Sequence, residues 1–96
     1  MLNNLIKNNN MKTYLIIYQL RSPYYDYSNF YSEIKSKYPQ NLHFIETAYL
    51  LKSEDNPNTI LSTLRNTLPK NDSIFITEIT DEYAGFVPIS TWEFLK

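Results

Sequence analysis

The amino-acid sequence predicts one α+β domain in which strands alternate with helices. Two runs, residues 12–20 and 73–79, are dense in β-branched and aromatic residues, which is typical of strands. Two stretches between them, 26–38 and 57–68, carry apolar residues three and four positions apart, which is typical of amphipathic helices. With 96 residues, the chain is long enough for a single domain with one core of modest size.

The composition is that of a folded protein without a strong charge bias. Apolar residues make up 43% of the chain, and nine of the residues are tyrosines, which are enriched at interfaces, so we expect an oligomer. The net charge of -1 does not favour a nucleic-acid-binding protein, although a symmetric dimer could gather a few cations into one groove. The absence of cysteine excludes disulfides and thiolate metal sites. Without a signal pattern or a long apolar run, the chain is expected to be cytoplasmic and to have no membrane partner.

Residues 1–10, MLNNLIKNNN, differ in composition from the rest of the chain, since five of the ten are asparagine. They predict a flexible leader before a single domain that spans residues 11–96. Met11 is a second candidate for the start of translation. A short amphipathic turn at Leu2, Leu5 and Ile6 that docks on a partner is the alternative.

The first strand predicts a central position in the sheet, because both of its faces are mainly apolar. Side chains along a strand alternate between its two faces. Pro23 ends the segment, since proline cannot donate to a strand ladder. One face carries Tyr14, Ile16, Tyr18 and Leu20, and the other carries Leu15, Ile17 and Gln19.

The first helix is predicted to begin after Asp26, a plausible N-cap, and to end before Pro39. For the second helix, Ser53 to Asn56 offer N-cap candidates and Pro57 suits the first helical position. The apolar stripe of the first helix comprises Tyr27, Phe30, Tyr31, Ile34 and Tyr38, and that of the second comprises Ile60, Leu61, Leu64 and Leu68.

The remaining segments predict further strands and a last helical turn. Residues 41–52 contain no Gly or Pro, so they form one long strand or two short ones joined by a bend near Glu46 and Thr47. Residues 84–87 are a candidate for a short edge strand, and a last helical turn is expected around Trp92.

This order of elements predicts a ferredoxin-like βαββαβ arrangement, a two-layer sandwich with an antiparallel sheet and both helices on one sheet face. The other face must also be covered, because the first strand is apolar on both sides. A second subunit is the simplest cover, which predicts a homodimer that pairs sheet to sheet.

Few residues offer catalytic chemistry. His43 is the only histidine, and without metal-ligand spacing around it we interpret it as a structural or surface residue. A single glycine excludes glycine-rich phosphate loops. The neighbouring acids Asp81 and Glu82 could bind a divalent cation, but a solvated turn is the simpler interpretation.

Arg21 follows the first strand directly, and Tyr24 and Tyr25 come soon after it. Arginine with tyrosines can bind phosphate and stack on bases. The alternative interpretation is a surface loop whose tyrosines pack on the helix or on the partner subunit.

A set of spaced residues between Met11 and Leu95 carries a resemblance to a known group of proteins. The set comprises a first strand that ends in Tyr18-x-Leu20; Tyr27, Phe30, Ile34 and Lys35; His43, Glu46, Thr47, Tyr49, Leu50, Lys52 and Ser53; residues 71–76; Ala84-Gly85-Phe86; and Trp92. The pattern resembles the SinR-like small proteins, which are similar to the small CRISPR-associated adaptation endonucleases and the virulence-associated D ribonucleases. The resemblance implies a ferredoxin-like fold and a homodimer whose sheets face each other.

The resemblance also implies a site at the end of the first strand. Nuclease members of the group carry an aspartate there, and two such carboxylates across the dimer axis could hold a divalent metal that activates water. Here the position is Gln19, whose amide has no charge to draw Mg²⁺ from its hydration shell and cannot act as a base. The prediction is therefore that no residue is catalytic and that no metal site or cofactor is present.

The sequence thus predicts a non-catalytic, dimeric binding or scaffold protein. Its candidate ligand site in the dimer cleft comprises Tyr18, Gln19, Arg21 and Ser22, and its candidate nucleic-acid contacts are Lys52, Tyr24 and Tyr25. The first alternative is a nuclease dependent on Mg²⁺ or Mn²⁺ that uses other acids, such as Asp26, Asp81 or Glu82. The second alternative is a toxin–antitoxin or defence accessory protein that acts by protein contact.

Overall fold

The structure is a computed structural model, and it describes residues 10–96. The predicted leader therefore lies outside the described residues, apart from Asn10. The described chain contains four strands and three helices. They are β1 (Lys12–Gln19), α1 (Ser28–Lys37), β2 (Asn41–Ile45), β3 (Ala48–Ser53), α2 (Pro57–Arg65), β4 (Ser73–Ile79) and α3 (Ile89–Leu95).

The four strands form one antiparallel sheet in the order β2-β3-β1-β4. The predicted α+β class and the central position of β1 are confirmed, and this strand order is compatible with a ferredoxin-like arrangement. Residues 41–52 form two strands joined by a turn at Glu46 and Thr47. Of the two predicted alternatives, the pair of short strands is therefore the one observed. The register between β2 and β3 shifts after Leu42, which is the irregularity expected of a β-bulge.

The main core lies between the first face of the sheet and helices α1 and α2. Each helix buries one stripe, because apolar residues three or four positions apart share a helix face. The members of this core are Tyr14, Ile16, Tyr18, Phe30, Ile34, Tyr38, Tyr49, Leu51, Ile60, Leu64 and Leu68. Leu61, predicted to belong to the same stripe, is 37% exposed and lines a shallow groove beside β4 together with Ile74 and Ile76.

The two helices begin differently. Helix α2 starts at Pro57 as predicted, and the Asn56 side chain accepts a 2.8 Å hydrogen bond from the Thr59 N–H. For α1 the predicted cap is wrong by one residue, because Tyr27 occupies the N-cap position and makes no side-chain cap. Asp26 still accepts a 2.9 Å hydrogen bond from the Ser28 N–H, so it anchors the helix start from one position earlier.

The second face of the sheet is partly covered by the C-terminal segment, which we define as residues 80–96. After β4 at one edge of the sheet, this segment crosses to β2 at the other edge, where α3 makes contact. The predicted strand at residues 84–87 is absent, because the chain crosses the face instead of running beside a strand edge. The predicted helical turn around Trp92 is confirmed as α3. Within residues 10–96, no helix is both long and apolar enough to cross a membrane.

Candidate binding surface

The part of the second sheet face that the C-terminal segment leaves uncovered carries a row of apolar side chains. In the sheet register, Ile17 lies opposite Ala48 on one side and opposite Phe75 on the other, and Ala48 lies opposite Ile45. These four residues, one from each strand, are called the open row below. Ile17 is 43% exposed, Phe75 64% and Ile45 45%, while the smaller Ala48 is buried.

The open row lies on this face because strand side chains alternate, so Ile17 points away from the core that Ile16 and Tyr18 enter. It crosses three strand spacings, a width of about 14 Å. None of its four residues is charged, and next to it along the strands Gln19 lies opposite Ser73. Exposed apolar side chains that share one face of a sheet are typical of an interaction surface.

Gln19, at the end of β1, is held by the arginine two residues later. Arg21 Nη2 donates a hydrogen bond to Gln19 Oε1 at 2.7 Å, and Arg21 Nη1 donates to the Asn71 carbonyl oxygen at 2.9 Å. The Arg21 backbone N–H donates to Asp72 Oδ1 at 2.9 Å. Both acceptors of the guanidinium are uncharged, so these two bonds fix its position without neutralising its charge.

The loop after β1 is tied to the segment before β4 by a second set of hydrogen bonds. The Ser22 N–H donates to the Tyr27 hydroxyl at 3.1 Å, and that hydroxyl donates to Asp72 Oδ2. The Tyr25 hydroxyl donates to the Thr67 carbonyl at 3.1 Å, and its ring meets that of Tyr27 edge to face. Of the predicted site residues, Gln19, Arg21 and Ser22 therefore lie together in one ordered loop region.

Tyr18 does not belong to that group. It points to the opposite sheet face and is buried in the main core, because neighbouring residues of a strand point to opposite faces. Its hydroxyl lies 2.9 Å from His43 Nε2 and donates to the Glu46 carbonyl at 3.1 Å. Burial, with a smaller contribution from the nearby Tyr31 and Tyr49, raises the pKa of the Tyr18 phenol far above its ordinary value.

Tyr24, Tyr25 and Lys52, the predicted nucleic-acid contacts, are separated by the fold. Tyr24 is fully exposed in the loop after β1. Lys52 lies opposite Thr13, six residues back along β1 from Gln19, which places it roughly 20 Å from the strand end. Its ammonium group lies 4.9 Å from the centre of the Phe94 ring, in a cation–π contact with α3.

The acids of the predicted nuclease alternative are also apart. Asp26 follows β1, whereas Asp81 and Glu82 follow β4, whose last residue Ile79 lies opposite Thr13 at the other end of β1. The Ser28 N–H bonded to Asp26 lowers the pKa of that carboxyl. Among residues 10–96, no group of three or more His, Cys, Asp or Glu side chains is placed to hold a metal ion.

A second surface feature, which sequence reasoning missed, lies on the helix side of the sheet. The exposed His43 ring stacks on Tyr49 with ring centres 4.3 Å apart and planes 8° from parallel. Together with Tyr31, Lys35 and two serines of α1, they line a shallow groove of about 570 Å³. The sequence gives only a weak signal for this groove, because its residues come from three elements. The β2–β3 pairing is what brings His43 next to Tyr49.

None of the family models, curated proteins or solved structures compared with this chain matches it. The resemblance to the SinR-like proteins therefore stays a prediction. The features from which function can be inferred are the open row and the Gln19–Arg21 pair beside it.

Proposed function

We propose that the protein is a non-catalytic homodimer that acts as a binding scaffold, with the two copies paired through their open rows. The observation that carries this proposal is the exposure of Ile17, Phe75 and Ile45 in one line across the sheet. Burying these side chains against an apolar surface is favourable, at about 25 cal/mol for each Å² removed from water.

A second copy is the occupant that the chemistry of this face favours. In a two-fold dimer the same patch meets itself, so a charged patch would bring like charges together. The open row and its neighbours Gln19 and Ser73 are uncharged, so self-pairing brings no like charges together within the row; the Arg21 guanidinium lies at its margin, beside Gln19. Two sheets that pack face to face lie about 10 Å apart, a spacing that interdigitated Ile and Phe side chains fill.

The absence of catalysis rests on the Gln19–Arg21 pair. Gln19 has one oxygen, and that oxygen accepts a hydrogen bond from a cationic guanidinium at 2.7 Å. A divalent cation at this oxygen would have to displace the arginine and would feel its positive charge at close range. The amide also lacks the charge with which carboxylates bind Mg²⁺.

The proposed dimer is the arrangement that the resemblance implies. The antiparallel order β2-β3-β1-β4 supports a ferredoxin-like fold, and β1 lies at the centre of the proposed interface. On this account the chain is a SinR-like relative of the small adaptation endonucleases that keeps the dimer and has lost the metal site.

The loop after β1 is the proposed contact surface for a further partner. It lies beside the interface and combines the Arg21 charge with the fully exposed Tyr24 ring. These groups suit a single-stranded nucleic acid, whose bases stack on aromatic rings and whose phosphates attract arginine. A protein partner, as for a toxin–antitoxin or defence accessory protein, is the alternative. Binding of labelled RNA or DNA that weakens as salt is added, and that is lost in Arg21→Ala, would support the nucleic-acid partner. No binding of either at low salt would support the protein partner.

A nuclease that uses Asp26, Asp81 or Glu82 has less support, because these acids lie at opposite ends of β1 in one chain. The test is to incubate the purified protein with labelled RNA and DNA and with Mg²⁺ or Mn²⁺. We expect no cleavage. Metal-dependent cutting that Asp26→Ala or Asp81→Ala abolishes would overturn the non-catalytic proposal.

A further inference from the structure

The C-terminal segment covers only one end of the second sheet face. It lines a common groove with Leu15 of β1 and Ile79 of β4. Leu15 lies two residues before Ile17 along β1, a distance of about 7 Å, and Gln19 lies as far beyond Ile17 on the other side. The open row therefore lies between the covered end of the face and the uncovered end that carries Gln19.

Two facing copies with aligned strands can be related in two ways. Their two-fold axis lies midway between the sheets and runs either along β1 or across it, parallel to the open row. An axis along β1 places the two C-terminal segments at the same end of the sandwich. An axis across β1 places them at opposite ends, so that each segment faces the Gln19 end of the other sheet.

The thickness of the C-terminal segment favours the axis across β1. Sheets that pack face to face lie about 10 Å apart, and a helix with its side chains is about 10 Å thick, so the space between them holds one such layer. With the axis along β1, two segments, each with its helix α3, would have to fit at one end, and the open rows would be held apart. With the axis across β1, each end holds a single segment.

The charges favour the same arrangement. The C-terminal segment carries the acids Asp81, Glu82 and Glu93 against one base, Lys96. An axis along β1 would bring the acids of the two segments to one end and the two Arg21 side chains to the other, so like charges would meet at both ends. An axis across β1 places the Arg21 end of each copy opposite the acidic segment of its partner.

We infer, on the basis of the proposed dimer, that its axis runs across β1 and that the C-terminal segment of each copy packs against the Gln19 end of its partner. Phe86 lies at the centre of this contact. Its side chain is fully exposed, whereas Gly85 and Val87 on either side of it line the groove on their own sheet. Ile89, three residues later, is 78% exposed. The partner's sheet end covers these two apolar side chains and extends the interface beyond the open row.

The experiment uses single cysteines in the full chain, which has no cysteine of its own. Ser73→Cys lies opposite Gln19 at the uncovered end, and Phe86→Cys lies in the C-terminal segment. The two variants are mixed, allowed to exchange subunits and treated with a short bismaleimide. We expect several-fold more cross-linked dimer in the mixture than with either variant alone, because position 73 of one copy faces position 86 of the other. Ser36→Cys, at an exposed position of α1, is the matched control and should link to neither.

The outcomes separate this dimer geometry from the proposed dimer itself. A protein that sediments as a dimer but links position 86 to position 86, and not 73 to 86, would overturn the inferred axis and leave the dimer in place. A wild-type protein that sediments as a monomer would overturn both. As a second measurement, Phe86→Ser should raise the dimer dissociation constant several-fold with unchanged far-ultraviolet circular dichroism. An unchanged constant would contradict the burial of Phe86 against the partner.

Discussion

Arg21 holds the side chain of Gln19 by a 2.7 Å hydrogen bond from Nη2 to Oε1, at the end of the central strand. In the proposed function, this is the position at which the nucleases of the resembling group carry a metal-binding aspartate. A fixed cation therefore lies beside the amide at this position. A substitution of Gln19 by aspartate would produce an ion pair with Arg21 before it produced a metal site.

This relationship predicts how metal binding can be restored. Gln19→Asp alone should bind Mn²⁺ weakly, because Arg21 competes for the new carboxylate. Gln19→Asp combined with Arg21→Ala should bind Mn²⁺ several-fold more tightly, as measured by the loss of the free-ion signal in electron paramagnetic resonance. Ser73→Asp combined with Arg21→Ala is the matched control, since it places a carboxylate one strand away on the same face. Equal Mn²⁺ binding by the two double variants would show that position 19 has no special geometry.

A second prediction concerns the core and compares two leucines of α2. Leu64 is fully buried, whereas Leu61 is 37% exposed. Leu64→Ala should lower the free energy of unfolding by about 2–5 kcal/mol, because it removes buried contacts and leaves a cavity. Leu61→Ala should cost roughly 1 kcal/mol or less. Urea unfolding at one protein concentration measures both, and equal losses would contradict the placement of α2 on the sheet.

A third prediction concerns alkaline pH. Burial raises the pKa of Tyr14, Tyr18, Tyr38 and Tyr49 above the value of 10.0 for an unfolded chain. The folded state thus favours the protonated phenols, and this contribution to stability is complete below pH 10 and lost as the pH rises above it. The urea concentration at which half of the protein is unfolded should decrease as the pH is raised from 9 to 11.

Tyr18→Phe tests the origin of that fall. The variant keeps the buried ring without an ionisable group, so its urea midpoint should decrease less over the same pH range. Tyr24→Phe, at a fully exposed position, should follow the wild type. A Tyr18→Phe midpoint that falls as steeply as that of the wild type would mean that this phenol does not contribute.

The sequence predicted the elements of the fold because their signals are local. The alternation of Tyr14, Ile16 and Tyr18 with Leu15 and Ile17 set the two faces of β1, and Pro57 marked the start of α2. The path of residues 80–96 was not predictable in this way. Whether Ala84 to Val87 pairs with a strand edge or crosses a sheet face depends on contacts with β2, which are far away in the chain.

The sequence predicted only the part of the candidate site whose residues are close together in the chain. Gln19, Arg21 and Ser22 are close in sequence, so their proximity in space follows from the end of β1. Tyr18 was grouped with them by sequence distance, although strand alternation sends it to the other face. The open row combines one residue from each of four strands. A shift of one residue in the register of any strand would move that strand's member to the other sheet face, so the row could not be predicted from the sequence.

The central claim, that two copies pair through the open row, is tested most directly by the mass in solution. Sedimentation equilibrium of the full chain should give twice the 11.4 kDa mass of one chain. Ile17→Lys should shift the equilibrium to the monomer while the far-ultraviolet circular dichroism stays unchanged, because the lysine would place like charges face to face. Ser36→Lys, at an exposed position of α1 in the helix layer, should remain dimeric. A wild-type protein that sediments as a monomer at every concentration, or a dimer that Ile17→Lys leaves intact, would contradict the account.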